Sequence, residues 1–127
     1  TGLTDDRLDP RRNLYESRLS GINAFCWAAA EGDVAEMRRL VARGINPDVG
    51  DYDGRTALHL AACEGRIAAL RYLIELGVNL NSTDRWGNTP LDDAIREAQS
   101  KDSHKPIIAM LSEHGAKQKN TVRSASN

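Results

Sequence analysis

The stretch DGRTALHLAACEGRIAALRYLIELGVN, residues Asp53–Asn79, decides how this chain folds. Thr56 precedes Ala57, where its hydroxyl can accept a bond from a backbone N–H of a first helical turn. The helix so started spans about Ala57 to Glu64, and Gly65 supplies the left-handed residue that ends it. A second helix runs from about Ile67 to Leu76 and stops at Gly77, with Leu70, Leu73 and Ile74 at the i, i+3, i+4 spacing of one buried stripe. A pair of short helices with one apolar face each stays wet unless a neighbour covers it.

The neighbours are legible on both sides. Gly21, Gly54 and Gly87 recur at a 33-residue step, as do Ala28, Ala61 and Ala94, and Phe25, Leu58 and Leu91. Gly32/Gly65 and Gly44/Gly77 obey the same register. Such a period means a stacked array of helix pairs, with units of about 21–53, 54–86 and 87–116. In the first unit Asn23 and Asp33 are the expected caps, Gly32 and Gly44 the terminators, and Met37, Leu40 and Val41 the stripe. The third begins strongly, with Thr89 as cap and Pro90 at the first helical position. Thr89 and Gly115 are 26 residues apart, against 21 for Thr56 and Gly77, so five residues enter around Gln99–Ser103. Ser103 is the expected cap of the last helix, which carries Pro106 in its first turn and Ile108 and Leu111 as core positions. Residues 1–20 form a linker and capping segment: Asp9-Pro10 reads as a helix start, and Leu14, Tyr15 and Leu19 could cover the open end of the array. Residues 117–127 have little to bury and read as a disordered tail.

Composition narrows the function. Seventeen basic and eighteen acidic side chains leave a net charge of −1, which gives no general attraction to nucleic acid or anionic lipid. Aromatics are 5% and alanine is abundant, as suits closely packed helices. Two cysteines, Cys26 and Cys63, are too few for a disulfide scaffold and point to a reducing, intracellular compartment. No apolar run approaches the ~18 residues of a membrane span. The chain opens on Thr1-Gly2 rather than methionine, so the expectation is a piece of something longer.

With these residues in view, D-x-x-G-x-T-A-L-H-L-A-A-x-E-G resembles the ankyrin repeat, over about residues 21–116. The first unit shows N-A-F-C in place of the T-x-L-H signature, and the third has Asp92 in place of the histidine. A narrower resemblance lies in the ordered series L-D-P-R-R (Leu8–Arg12), A-A-x-E-G-D-V near Gly32, D-Y-D-G-R-T-A-L-H and D-R-W-G-N-T-P-L-D-D-A. That series is similar to the C-terminal region of animal-type, phosphate-activated glutaminases, in which a catalytic domain precedes L-D-P-R-R and a short ankyrin array follows. The resemblance implies an all-α solenoid of three helix-turn-helix units with hairpin-like inter-repeat fingers. It implies a non-catalytic module of an oligomeric, mitochondrial enzyme that converts glutamine to glutamate and ammonia. Partners are then proteins: the catalytic domain, sister subunits or a separate protein, with no nucleic acid and no membrane. The alternative is an adaptor array belonging to an unrelated channel, kinase or scaffold, to whose repeats D-R-W-G-N-T-P-L-D-D-A is also similar.

Family members use serine with lysine three residues on as nucleophile and base, a spacing that shares one helical face. No serine of this chain has that lysine, so no catalytic residue is expected here. His59 and Cys63 have the i, i+4 spacing of two metal ligands, and the register sets Cys26 beside His59. The simpler reading is that His59 braces its own hairpin through Thr56 and Cys63 is a small buried side chain, so no metal or cofactor is expected. His104 and His114 flank the last helix, where exposure or helix-end stabilisation is expected. The mixed charges of Arg38, Arg39, Arg43, Arg66 and Arg71 with Glu31, Glu36, Glu64 and Glu75 read as a solvated face. The candidate partner-binding residues are Asp51, Tyr52 and Arg55 in one finger and Asp84, Arg85, Trp86 and Asn88 in the next. Aspartate and glycine suit the turns. The aromatics and arginines either pack on the adjacent finger or meet a partner, as residue types enriched at hot spots.

Overall fold

The computed structural model describes residues 10–118, with side chains from residue 21 onward. Six α-helices lie there: α1 Pro10–Glu31, α2 Val34–Ala42, α3 Ala57–Glu64, α4 Ile67–Leu76, α5 Pro90–Ala98 and α6 Lys105–Glu113. No strand occurs among the described residues, so the fold is all-α. The middle pair has the bounds read from Asp53–Asn79: Thr56 accepts from the His59 backbone N–H, and Gly65 and Gly77 close the helices in the left-handed region.

The first helices of successive pairs, α1, α3 and α5, pack side by side, and each second helix rests on its own first. Buried alanines (Ala28, Ala29, Ala61, Ala62 and Ala94) keep these contacts thin, while Phe25, Leu58 and Leu91 fill the space between layers. Met37 and Leu40 of α2 and Leu70 and Leu73 of α4 are buried beneath them, with Val41 and Ile74 partly so. In α6 the buried positions are Ile107 and Leu111, which match the buried Ala69 and Leu73 of α4 once the five inserted residues are counted, and Ile108 is only partly covered.

Two features of the array differ from the sequence reading. Asn23 is not a cap, because α1 runs unbroken through it. Gly21 shares the register of Gly54 and Gly87 but not their purpose. Those two have φ of 76° and 80°, whereas Gly21 sits inside α1, and a Cβ there would meet Ile45 Cδ1. The first unit thus has no finger before it, and its glycine makes room for a side chain. Asp9, the side chains of Leu14, Tyr15 and Leu19, and residues 119–127 lie outside the described residues.

The second difference is at the insertion. Ser103 makes no cap; a single 3₁₀ turn, Asp102–His104, leads into α6, with His104 at the cap position. His104, expected at the surface or the helix end, is 2% exposed. Its Nε2–H donates to the Cys63 carbonyl at 2.7 Å, at the end of α3. Arg66 does the same one layer earlier, its Nε donating to the Ala30 carbonyl at 2.9 Å. Ala30 and Cys63 are 33 residues apart, and Arg66 and His104 are 33 plus the five inserted. α4 and α6 therefore each begin with a side chain that satisfies a terminal carbonyl of the preceding layer. His114, by contrast, is exposed and bonds the Met110 carbonyl of its own helix.

On the other side of the stack the loops after the second helices are stitched by amides and carboxylates. Asp48 accepts from the Asn79 backbone N–H at 2.8 Å, and Asn81 from that of Lys117 at 2.7 Å. Asp33 caps α2 as read, accepting from the Glu36 N–H.

Candidate functional site

Each finger is built around one aspartate. Asp51 Oδ1 accepts from the backbone N–H groups of Asp53 and Arg55 at 2.9 and 3.0 Å. Asp84 Oδ1 accepts from those of Trp86 and Asn88, both at 2.9 Å. Both aspartates are thereby turn-makers rather than contacts offered outward. The fingers are joined edge to edge: the Arg85 N–H donates to the Asp53 carbonyl at 2.8 Å, and its guanidinium meets the Asp53 carboxylate at 3.2 Å.

His59 ties the second finger to the array. The Thr56 N–H donates to Nδ1 at 3.1 Å, so the proton lies on Nε2, which donates to the Asn88 carbonyl at 2.8 Å. This is the brace through Thr56 read from the sequence, extended to the next unit. His59, Asp84 and Asp93 bring one ligand atom each within 4.8 Å of one another. Both imidazole nitrogens are already engaged, so His59 has no lone pair for a metal. At the last layer Asp92 takes the place of the histidine, its Oδ2 accepting from the Thr89 N–H at 2.9 Å. A carboxylate suffices there, since the Thr89 hydroxyl meets the Lys117 carbonyl and not another finger.

The bonded turns leave their aromatic side chains outside. Tyr52 is 93% and Trp86 59% exposed, and the packing of Tyr52 on the neighbouring finger is not found. Arg85 lies over the Trp86 ring with its guanidinium carbon 5.4 Å from the centroid, a cation–π contact within the finger. Arg55 points inward and pairs with Asp93 of α5 at 3.5 Å. Arg55, Asp84, Trp86 and Asn88 line one cleft of about 270 Å³ with Cys63, Asp93 and Arg96.

Four of these residues escaped the sequence reading: Cys63 as a cleft residue, Asp93, Arg96 and Trp27. Trp27 is 66% exposed on α1. The register held a signal for two of them, because Trp27, Leu60 and Asp93 are one position in three units, occupied by three unrelated side chains. Cys63 is half-buried beside Arg96, whose Nη2 stands 3.9 Å from the sulfur, and so is not the buried side chain expected. For Arg55, burial lowers the pKa, but the Cys63 thiol and the Asp93 carboxylate outweigh it and hold the guanidinium above its ordinary value.

A family model described as ankyrin repeats (3 copies) matches residues 8–84 and 25–122. The chain belongs to the ankyrin-repeat family. Ankyrin repeats are non-catalytic modules that generally mediate protein–protein interaction. Among curated relatives, the mitochondrial liver isoform of glutaminase from Rattus norvegicus is 41% identical over 54 residues, 42% of this chain and 9% of that protein. Its Mus musculus counterpart is equally similar over the same length. Potassium channel AKT6 of Arabidopsis thaliana is 38% identical over 52 residues, 41% of this chain and 6% of the channel. The match thus spans under a tenth of each of these relatives. No helix among the described residues is long and apolar enough to cross a membrane.

Proposed function

We propose that this ankyrin array is the C-terminal interaction module of a glutaminase, acting through the finger face that carries Tyr52 and Trp86. The observation that carries an interaction role is the exposure of both aromatics on turns held by the Asp51 and Asp84 carboxylates. Large, stiff side chains on a preorganised scaffold lose little entropy on binding. What favours a glutaminase parent is the similarity to the two mitochondrial liver-isoform enzymes together with the ordered series from L-D-P-R-R at Leu8 to D-D-A at Ala94.

In that setting the parent hydrolyses glutamine to glutamate and ammonia in the mitochondrion, and the array supplies contacts to its catalytic domain, to sister subunits or to a separate protein. Deleting residues 21–116 from the parent then changes its assembly or its activation by phosphate while the catalytic constellation stays intact. Unchanged assembly and kinetics in the truncated enzyme would reject the glutaminase role.

The channel relative supports a second reading, an adaptor array of an unrelated protein. Both readings place docking on the fingers. Affinity capture with Tyr52→Ala and Trp86→Ala combined should lose the partner, and capture at full strength would remove the fingers from the interface.

A further inference from the structure

The cleft between the second finger and α5 brings Arg55, Arg96, Asp84 and Asp93 into one small volume. Asp93 is its anomaly. The residue is 1% exposed, and Oδ1 accepts from Arg96 Nη1 at 3.1 Å, while Oδ2 accepts no hydrogen bond. Arg55 Nη2 stands 3.5 Å from Oδ2, too long for a charge-assisted bond. A buried carboxylate oxygen without a donor is expensive and marks a place where a donor belongs. The two guanidiniums have the opposite need, since each carries five N–H groups. Two cations and two anions sum to zero, so a second carboxylate would face Asp93 and an ammonium would face both arginines.

A primary carboxamide answers both needs from one end, with a donor and an acceptor on the same carbon. It is neutral and planar, and the cleft of about 270 Å³, which Trp86 also lines, is roomy enough for one such side chain. We propose that the cleft receives the carboxamide of an asparagine or glutamine side chain presented by a protein partner. Its N–H donates to Asp93 Oδ2 and its oxygen accepts from Arg55 and Arg96. This rests on the protein-docking reading above and names what that surface recognises. Oδ2 has no solvent-accessible surface, so the Arg55 guanidinium turns outward to meet the amide oxygen as the N–H enters. Its contact with Asp93 is the 3.5 Å ion pair, longer than a charge-assisted hydrogen bond.

The test pans a random-peptide display library against the full chain and, in parallel, against Asp93→Asn. The native chain should enrich peptides sharing asparagine or glutamine at one position. Changing that residue to its isosteric acid in a synthetic peptide, aspartate for asparagine or glutamate for glutamine, should weaken binding at least about tenfold, the loss of one hydrogen bond to a charged group. Asp93→Asn, which removes the anion and keeps the shape, should reverse the preference towards the acid. Because Asp93 is buried, Arg96→Gln on the partly exposed rim serves as the second variant. It should lose about tenfold for the amide peptide at a temperature where circular dichroism shows both chains fully folded, although removal of the Arg96 bond to Asp93 lowers the melting temperature. Enriched peptides that depend on Tyr52 and Trp86 but share no amide, or acid peptides binding the native chain equally well, overturn the carboxamide and leave the docking face standing. Absence of any enrichment on the native chain overturns both.

Discussion

No local pattern marks His104, yet it carries one of the longest-range hydrogen bonds in the array, to the Cys63 carbonyl 41 positions away. Removing it leaves a buried carbonyl at the end of α3 without its donor, so His104→Ala should destabilise by about 1–3 kcal/mol. His114→Ala, at an exposed helix end, should stay within about 0.5 kcal/mol. Urea denaturation of the two variants side by side checks this, and equal losses would contradict the assigned roles. Cys26 gives a second residue-scale expectation. Burial, reinforced by the Asp51 carboxylate, pushes its thiol from 9.0 up to about 12. The folded chain holds that proton more tightly than the unfolded chain. The stabilisation is complete below about pH 9 and is lost as pH rises towards 12. Between pH 9 and 11 the native chain should therefore lose stability more steeply than Cys26→Ala, as read from urea midpoints. Parallel slopes would place the alkaline loss elsewhere.

At the scale of elements, α4 depends on one stripe. Leu73 is wholly buried in the core of the array, and Leu73→Ala should cost about 2–5 kcal/mol through lost burial and the cavity left behind. A thermal melt with no loss would refute the stripe. The helices that were legible in the sequence are those whose start and stop are local. Thr56, Gly65 and Gly77 specify α3 and α4 with bonds that reach no further than one turn. Where the deciding contact is distant, the reading failed. Asn23 has the letter of a cap, but α1 continues through it, and Gly21 has the letter of a turn but serves the packing of Ile45. Ser103 likewise yields the cap position to His104, whose partner belongs to the previous unit.

Over the whole molecule, each layer is stabilised mainly by the next, as in any linear array. A chain ended after residue 86 uncovers the side of α3 that packs on α5, and its circular dichroism should lose the cooperative urea transition of the complete chain. Retention of a sharp transition would show that two layers suffice. The proposed recognition cleft is likewise a property of the whole. The residues of each finger are contiguous and could be named in advance, whereas the cleft joins Arg55 of one unit to Asp93 and Arg96 of the next.

From its letters alone this chain specifies a three-layer stack of helix pairs, because period, caps and apolar spacing act over a single turn or a single repeat. Only the stacking decided which polar groups meet across layers. His104 under α3, His59 against the second finger and the unmatched oxygen of Asp93 all depend on approaches between segments about 30 to 40 residues apart, where geometry and not local preference determines the partner.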